Sequence, residues 1–116
     1  MDNEPDSIVD VFAQPAENIL DIEVHWMGDP SIGEVLTVFK TWRHLRRLSI
    51  ISYQFDIDVE FPSLDVICDF ILNMKCLNFL RIDDDVGDPK RMDLKSKVIE
   101  WVKDHRPNFI FEMDVI

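Results

Sequence analysis

The sequence predicts an α/β fold, a short right-handed β-α solenoid with about four parallel strands and three helices on its convex side. Two segments support this prediction, because PSIGEVLTVFKTWRHLRRLSI at 30–50 and PSLDVICDFILNMKCLNFLRI at 62–82 carry similar residues at equivalent positions. A looser third copy follows them, and a single strand-like segment precedes them. Strands and helices that alternate in this way form parallel strands joined by right-handed crossovers.

The first predicted strand is NILDIEV, at 18–24. Its Leu20 and Ile22 show the same Leu-x-Ile spacing as Leu48 and Ile50 later in the chain. Side chains of a strand alternate between two faces, so a pair at this spacing points into the core. We therefore expect Leu20 to lie beside Leu48 and Ile22 beside Ile50.

The first two helices are predicted to begin at the two Pro-Ser pairs, with Ser31 and Ser63 as their N-terminal caps. A residue before proline avoids the helical region, and a serine hydroxyl accepts a hydrogen bond from the first turn. Apolar residues then recur at three and four positions, which is typical of a helix with one buried stripe. In the first helix this stripe is Ile32, Val35, Leu36, Phe39 and Trp42.

Strands follow both helices, at 48–52 and 80–84, where aliphatic residues alternate with other side chains. The third helix is predicted from about Leu94 to about His105, before the next proline. The segment NFIFEMDV supplies the last strand. Its open edge favours self-association of the chain through the C-terminal strand.

Composition and charge indicate one globular domain whose partner is a protein with a basic surface. Hydrophobic residues make up 47% of the chain and charged residues 30%, and the formal net charge is −11. This charge repels nucleic acid and anionic membrane surfaces, so neither is an expected partner. We assign 1–17 to an acidic N-terminal lead, with Val11 and Phe12 among the apolar residues that cap the first strand, and 18–116 to the repeat domain. The lack of a long apolar run and of a secretion signal predicts a cytoplasmic or nuclear protein.

The segments LRRLSI and LNFLRI resemble the Leu-x-x-Leu-x-Leu core of leucine-rich repeats. A period of 28 to 32 residues with a full helix resembles the long intracellular class, which includes ribonuclease inhibitor and the repeat regions of F-box proteins. The resemblance implies a parallel sheet on a concave face, helices on the convex face and a protein-binding role. It extends the prediction to the substrate-recognition part of an F-box-type ubiquitin ligase receptor.

Side chains that alternate with the core residues of each strand are predicted to form the partner-binding face. The first row across the sheet is Asp21, Ser49, Arg81 and Glu112, and the second is Glu23, Ile51, Asp83 and Asp114. Five of these eight residues are acidic, which favours a basic partner. Arg81 and Glu112 are expected to form a cross-strand ion pair. Three residues that follow strands are predicted to lie in loops at one edge of the sheet, as further contacts: Trp26, Tyr53 and Asp85.

Each of these interpretations has a structural alternative. An exposed sheet face is polar in any globular protein, so the acidic rows also fit a solvated surface. Trp26 and Tyr53 also fit side chains that fold back onto the core. The order of strands and helices also fits a compact three-layer α/β domain with a regulatory or small-ligand role, in which helices cover both faces of the sheet.

No motif predicts catalysis, a cofactor or a metal site, so we expect a protein that is not an enzyme. His25, His44 and His105 lack a neighbouring Ser or Cys nucleophile in the sequence. The segment DDDVGDP places glycine at the fifth position of a calcium-loop register, where an oxygen ligand is needed. Cys68 and Cys76 lack the additional ligands of a zinc site, and we expect free thiols, with Cys68 buried.

A basic cluster lies between the first helix and its strand, and it consists of Arg43, His44, Arg46 and Arg47. Positive charge near a helix C-terminus favours the helix dipole, which is the ordinary interpretation of this cluster. The alternative is a basic patch that contacts an acidic protein, or the acidic face of a second copy of the chain.

Overall fold

The computed structural model describes residues 11–27, 30–53, 61–84 and 90–113. Its strands and helices, in chain order, are β1 (Asp21–Met27), α1 (Ile32–Phe39), β2 (Arg47–Tyr53), α2 (Leu64–Asn73), β3 (Phe79–Asp84), α3 (Lys90–His105) and β4 (Ile110–Glu112). The four strands form one parallel sheet in the order β1-β2-β3-β4. The predicted α/β class is confirmed, with four parallel strands and three helices within these ranges. None of the helices in these ranges is long and apolar enough to cross a membrane.

Serine caps begin α1 and α2, as the two Pro-Ser pairs predict. The Ser31 hydroxyl accepts a hydrogen bond from Glu34 N at 3.3 Å, and Glu34 Oε2 accepts one from Ser31 N at 3.1 Å. This reciprocal capping box satisfies two backbone donors that the helix itself leaves free. At the start of α2, the Ser63 hydroxyl accepts a hydrogen bond from Val66 N at 3.4 Å. Both helix starts are therefore fixed by local sequence.

The predicted apolar stripe of α1 is buried along its whole length, although the helix ends at Phe39 and Trp42 lies in the turn beyond it. Buried residues of α2, α3 and the strands complete a single core. Among its fully buried members are Leu48, Ile50, Ile67, Ile71, Leu80 and Ile82. Burial of each such side chain stabilises the fold by about 1.5–3 kcal/mol, so this core is the main source of stability.

β1 pairs with β2 in a register that differs by two residues from the predicted one. Ile22 lies beside Leu48 and Val24 beside Ile50, whereas Leu20 precedes the strand and is 41% exposed. The Leu20 carbonyl accepts hydrogen bonds from two backbone N–H groups at and just before the start of β2, at 3.1 and 2.7 Å. The Leu20 carbonyl therefore makes hydrogen bonds at the start of the β1–β2 pair, and the Leu20 side chain does not enter the core. The prediction that placed Leu20 beside Leu48 was wrong.

α3 begins at Lys90, earlier than the predicted start near Leu94. Its first turn buries Arg91, which is 6% exposed and whose guanidinium lies 4.4 Å from the centre of the Phe61 ring. A buried cation does not contribute to an apolar stripe, so the stripe in the sequence begins later than the helix. The predicted helix end at His105 is confirmed.

The segment before β1 packs against the C-terminal end of α1. The centre of the Phe12 ring lies 5.3 Å from that of Phe39 and 5.8 Å from that of Trp42. The Phe12 carbonyl also accepts a hydrogen bond from Trp42 Nε1 at 3.0 Å. Phe12 thus covers the helix layer instead of the first strand, while Val11 is 58% exposed and covers neither. Residues 1–10 of the predicted lead lie outside the described ranges.

One arginine joins the turn after α3 to the end of α2. Arg106 Nη1 donates hydrogen bonds to Ile71 O and Met74 O at 2.8 and 2.9 Å, and Nη2 donates to Leu77 O and Lys75 O at 2.6 and 3.3 Å. The last carbonyls of a helix have no partner inside it, so the guanidinium supplies donors that α2 lacks. Burial lowers the pKa of Arg106, although an arginine stays charged at neutral pH. We call this arrangement the Arg106 clamp.

The two cysteines are free thiols in different surroundings. Cys68 is buried in α2, as predicted, and Cys76 is exposed in the turn that follows. Burial raises the pKa of Cys68, and the charge of Asp65 adds to this effect. A buried, protonated thiol reacts slowly, because the thiolate is the nucleophile.

We expect one thiol of the folded protein to react rapidly with an aromatic disulfide reagent at pH 8, and the second to react only after denaturation. Mass spectrometry of the labelled peptides should place the first label on Cys76. The Cys76→Ser variant is the control, since it should lose the fast phase and keep the slow one. Labelling of Cys68 and Cys76 at similar rates in the folded protein would contradict the buried position of Cys68.

Candidate functional site

All three described helices pack against the same face of the sheet. The buried residues of α1, α2 and α3 form one core with alternate residues of the strands, such as Leu48 and Ile50 of β2. The strand residues between them point away from the helices. The three-layer alternative, with helices on both faces, therefore does not hold within the described ranges. We call the side of the sheet away from these helices the open face.

The open face is arranged in rows that run across the strands. The first row is Asp21, Arg47, Phe79 and Ile110, and the second is Glu23, Ser49, Arg81 and Glu112. The third row is His25, Ile51 and Asp83, with Met27 and Tyr53 beyond it. The face therefore combines charged side chains with aromatic and aliphatic ones.

Seven predicted partner-binding residues lie within the described ranges, and all of them occupy open-face positions: Asp21, Glu23, Ser49, Ile51, Arg81, Asp83 and Glu112. Their rows differ from the prediction, because Asp21 lies beside Arg47 and Glu23 lies beside Ser49. The two-residue difference in the register of β1 is the reason. A shift of two keeps every side chain on the same face but moves it by one row.

The ion pair that the structure shows for Arg81 is with Asp83 of its own strand, whereas the predicted partner was Glu112. Arg81 Nε lies 2.5 Å from Asp83 Oδ2, and Asp83 is only 7% exposed. Asp83 was expected to be an exposed contact residue, but it is buried. Glu112 lies beside Arg81 and is exposed. The exposed carboxylates on the described part of the open face are therefore those of Asp21, Glu23 and Glu112.

A hydrogen-bonded chain of three side chains crosses from β1 to β2. His25 Nε2 lies 3.0 Å from Glu23 Oε2, and His25 Nδ1 lies 3.2 Å from the Tyr53 hydroxyl. A neutral histidine protonated on Nε2 donates to Glu23 and accepts from Tyr53. The rings of His25 and Tyr53 also stack, with centres 5.9 Å apart. These contacts hold three exposed side chains in one arrangement.

Trp26 and Tyr53 both belong to strands, so their predicted loop positions were wrong. Trp26 lies on the helix side of β1, where its ring packs against the core and Nε1 donates a hydrogen bond to Pro30 O at 2.8 Å. Trp26 therefore folds back onto the core, as the structural alternative in the sequence analysis proposed. Tyr53 ends β2 on the open face and is 38% exposed, so it remains a candidate contact residue.

Sequence reasoning missed the apolar residues that the open face exposes. Met27 is 65% exposed at the end of β1, and Ile110 is 53% exposed on β4. Phe79 also belongs to this face, but the guanidinium of Arg47 lies 4.2 Å from the centre of its ring and helps to cover it. Extending the period-two pattern by one residue before Leu48 and Leu80 would have found Arg47 and Phe79.

Two predicted contact residues, Asp85 and Asp114, and most of the segment DDDVGDP lie outside the described ranges. Across the part of the chain that the structure describes, no three His, Cys, Asp or Glu side chains are grouped so that they could hold a metal ion. Compared with known proteins, the chain matches no family model, no curated protein and no solved structure.

Proposed function

We propose that this protein is a non-enzymatic interaction domain whose open face binds a basic segment of a partner protein. One observation carries the proposal: a sheet face that no described helix covers presents exposed carboxylates at Asp21, Glu23 and Glu112. Complementary charge of this kind orients and accelerates association with a basic surface. The exposed side chains of Met27 and Ile110 supply apolar contacts, which contribute much of the binding free energy when they are desolvated.

The charge that the open face presents is mainly negative. Arg81 is paired with Asp83, and the guanidinium of Arg47 lies over the Phe79 ring. The guanidinium of Arg47 keeps its charge over the ring, so three exposed carboxylates share the described face with one such cation. The whole chain carries a formal charge of −11, which adds a long-range attraction for positive partners. A Lys-rich or Arg-rich segment is the complementary ligand.

The chain of hydrogen bonds from Glu23 through His25 to Tyr53 supports binding at the β1–β2 side of the open face. Ordering a free side chain on binding costs about 0.5–1.5 kcal/mol. Side chains that are already held in place reduce this cost. We therefore place the contact with the basic segment around Glu23 and Tyr53, with Met27 as the adjacent apolar anchor.

A random peptide library displayed on phage and selected against the folded protein tests this proposal. We expect the selected peptides to be rich in Lys and Arg and to contain at least one large apolar residue. Binding of a selected peptide should weaken by at least about tenfold in the Glu23→Lys/Glu112→Lys variant, which corresponds to about 1.4 kcal/mol. It should also weaken as ionic strength rises.

The matched control is Glu100→Lys/Asp104→Lys, which makes the same charge change on the exposed side of α3. Circular dichroism should first establish that both variants are folded. We expect the control to bind the selected peptides within about twofold of the wild type. Selection of acidic peptides, or equal binding losses in the two variants, would overturn the proposal.

The narrower prediction, substrate recognition for an F-box-type ubiquitin ligase, rests on the resemblance of LRRLSI and LNFLRI to leucine-rich repeats. The parallel sheet, with strands in sequence order and helices on one face, is compatible with the concave sheet that this resemblance implies. It stays a prediction. A partner identified through the open face would test it, because a ligase substrate should become ubiquitinated only when that face is intact.

A further inference from the structure

A groove on the helix side of the molecule lies where α1 and α2 end. It consists of two adjoining depressions of about 460 and 790 Å3, which share Lys40, Arg43 and His44 in their walls. The first depression extends to residues 15–17, which include the exposed carboxylate of Glu17, and the second extends to Asp69 and Lys75. We call this feature the basic groove. Depressions of this volume have room for several residues of an extended chain, which is far more than a single small ion occupies.

Most basic side chains of the groove make no hydrogen bond or ion pair with the described residues. Arg43, His44 and Lys75 are exposed, and their side chains have no hydrogen-bond or ion-pair partner among the described residues. Lys40 is different, because its Nζ lies 2.6 Å from Asp69 Oδ2 and lowers the pKa of that carboxyl group. In a chain with a net charge of −11, two cations without such partners, Arg43 and Lys75, lie in one groove beside the imidazole of His44, which is an unexpected concentration of basic groups.

Hydrogen bonding at the helix ends does not explain these cations. Near the end of α1, the carbonyls of Leu36, Val38 and Phe39 accept hydrogen bonds from the backbone N–H groups of the turn that follows. Near the end of α2, the Arg106 clamp supplies the donors. Neither helix depends on the groove cations for capping hydrogen bonds. Their remaining structural effect is a favourable interaction with the helix dipole, typically about 0.3–1 kcal/mol at an exposed site.

The register of the sheet places Arg43, Lys75 and Arg106 at equivalent positions, each four residues before one of the paired residues Arg47, Phe79 and Ile110. Arg106 uses this position to reach the preceding helix. Lys75 occupies the same position without making such a contact, and its side chain lines the groove instead. The structural role found at Arg106 therefore does not account for Lys75.

We propose that the basic groove binds an acidic peptide segment of a partner protein, with Arg43, His44 and Lys75 contacting its carboxylates. The ligand has the opposite charge to the ligand of the open face, and the groove lies on the opposite side of the sheet. The two sites therefore accept segments of opposite charge. Guanidinium and ammonium groups bind carboxylates through charge-assisted hydrogen bonds, which are stronger than neutral ones.

Fluorescence anisotropy with a labelled hexaglutamate peptide tests the proposal at low salt. The probe is stringent, because the net charge of the chain repels it everywhere except near a local basic surface. We expect saturable binding to the wild type and at least about a tenfold loss of affinity in Arg43→Glu/Lys75→Glu. The matched control is Lys95→Glu/Lys103→Glu on α3, which makes the same change in net charge and so increases the overall repulsion of the peptide equally. At the same ionic strength it should bind within about twofold of the wild type.

Amide chemical shifts of the wild-type protein provide a measurement that does not depend on the folding of any variant. The peptide should shift the amides of 40–44 and 73–76 and leave the strands of the open face unchanged. Three results would overturn the proposal: no saturable binding, equal loss in both double variants, or shifts confined to other elements. Inorganic phosphate distinguishes a single-anion site, because full displacement of the peptide by about millimolar phosphate would show that an extended acidic segment is not the ligand.

Discussion

Replacing Arg106 with methionine is expected to lower the free energy of unfolding by about 2–4 kcal/mol. Methionine keeps much of the apolar stem but donates no hydrogen bond, so the carbonyls of Ile71, Met74 and Leu77 lose a charged donor. A hydrogen bond to a charged group contributes about 1.5–3 kcal/mol. The total is smaller than a sum over all acceptors, because they share one charge and solvent reaches part of the site.

Urea unfolding followed by circular dichroism measures this loss. Arg43→Met is the matched control, because Arg43 has the equivalent position in the sheet register but its side chain has no partner among the described residues. Its unfolding free energy should change by less than about 0.5 kcal/mol. Arg106→Lys should give an intermediate loss, because an ammonium group keeps the charge but lacks the planar fork. Equal losses for the two methionine variants would show that the Arg106 clamp contributes nothing specific.

Phe39→Ala is expected to reduce the unfolding free energy by about 3–5 kcal/mol. The Phe39 side chain is fully buried at the end of α1, and its ring centre lies 5.2 Å from that of Trp42 and 5.3 Å from that of Phe12. Truncation removes apolar burial and leaves a cavity where the segment before β1 meets the helix layer. Because this segment rests on Phe39, the same change should also loosen residues 11–16.

The same urea titration measures the loss, and Phe39→Leu is the conservative comparison. Leucine refills part of the volume, so it should lose less than half of what alanine loses, that is roughly 1–2 kcal/mol. Leu72→Ala is the surface control, since Leu72 is 52% exposed on α2 and should lose about 0.5 kcal/mol or less. If Phe39→Ala and Leu72→Ala lose similar amounts, the aromatic cluster is not part of the core.

The elements inside the repeat were predicted well because two copies of one pattern constrain each other. Ser31 and Ser63 mark both helix starts, and the Leu-x-Ile pairs at Leu48 and Leu80 mark both following strands. A misplaced helix or strand boundary in one copy would have disagreed with the equivalent boundary in the other copy. The start of α3 lacked this check, since a buried cation, Arg91, replaces the apolar residue that would have signalled it.

The register of β1 was not predictable from hydrophobic pattern, for a physical reason. A shift of one residue would turn the buried side chains to the open face, so the pattern excludes it. A shift of two residues preserves both faces, and the pattern cannot detect it. Leu20 with Ile22, and Ile22 with Val24, are both suitable core pairs, and the structure uses the second pair. The open face was therefore predicted correctly as a face, while the neighbours of Asp21 and Glu23 were not.

The Arg106 clamp also affects the order in which parts of the molecule unfold. When helix–strand units stack in sequence order, as these do, stability is shared between each unit and its contacts with its neighbours. Arg106 concentrates four hydrogen bonds between the last two units in one side chain. The corresponding side-chain link between α1 and α2 is the exposed pair of Lys40 and Asp69. We therefore expect the last two units to unfold together. A shortened chain that ended before Arg106 would lose the donors that complete α2 together with the missing unit.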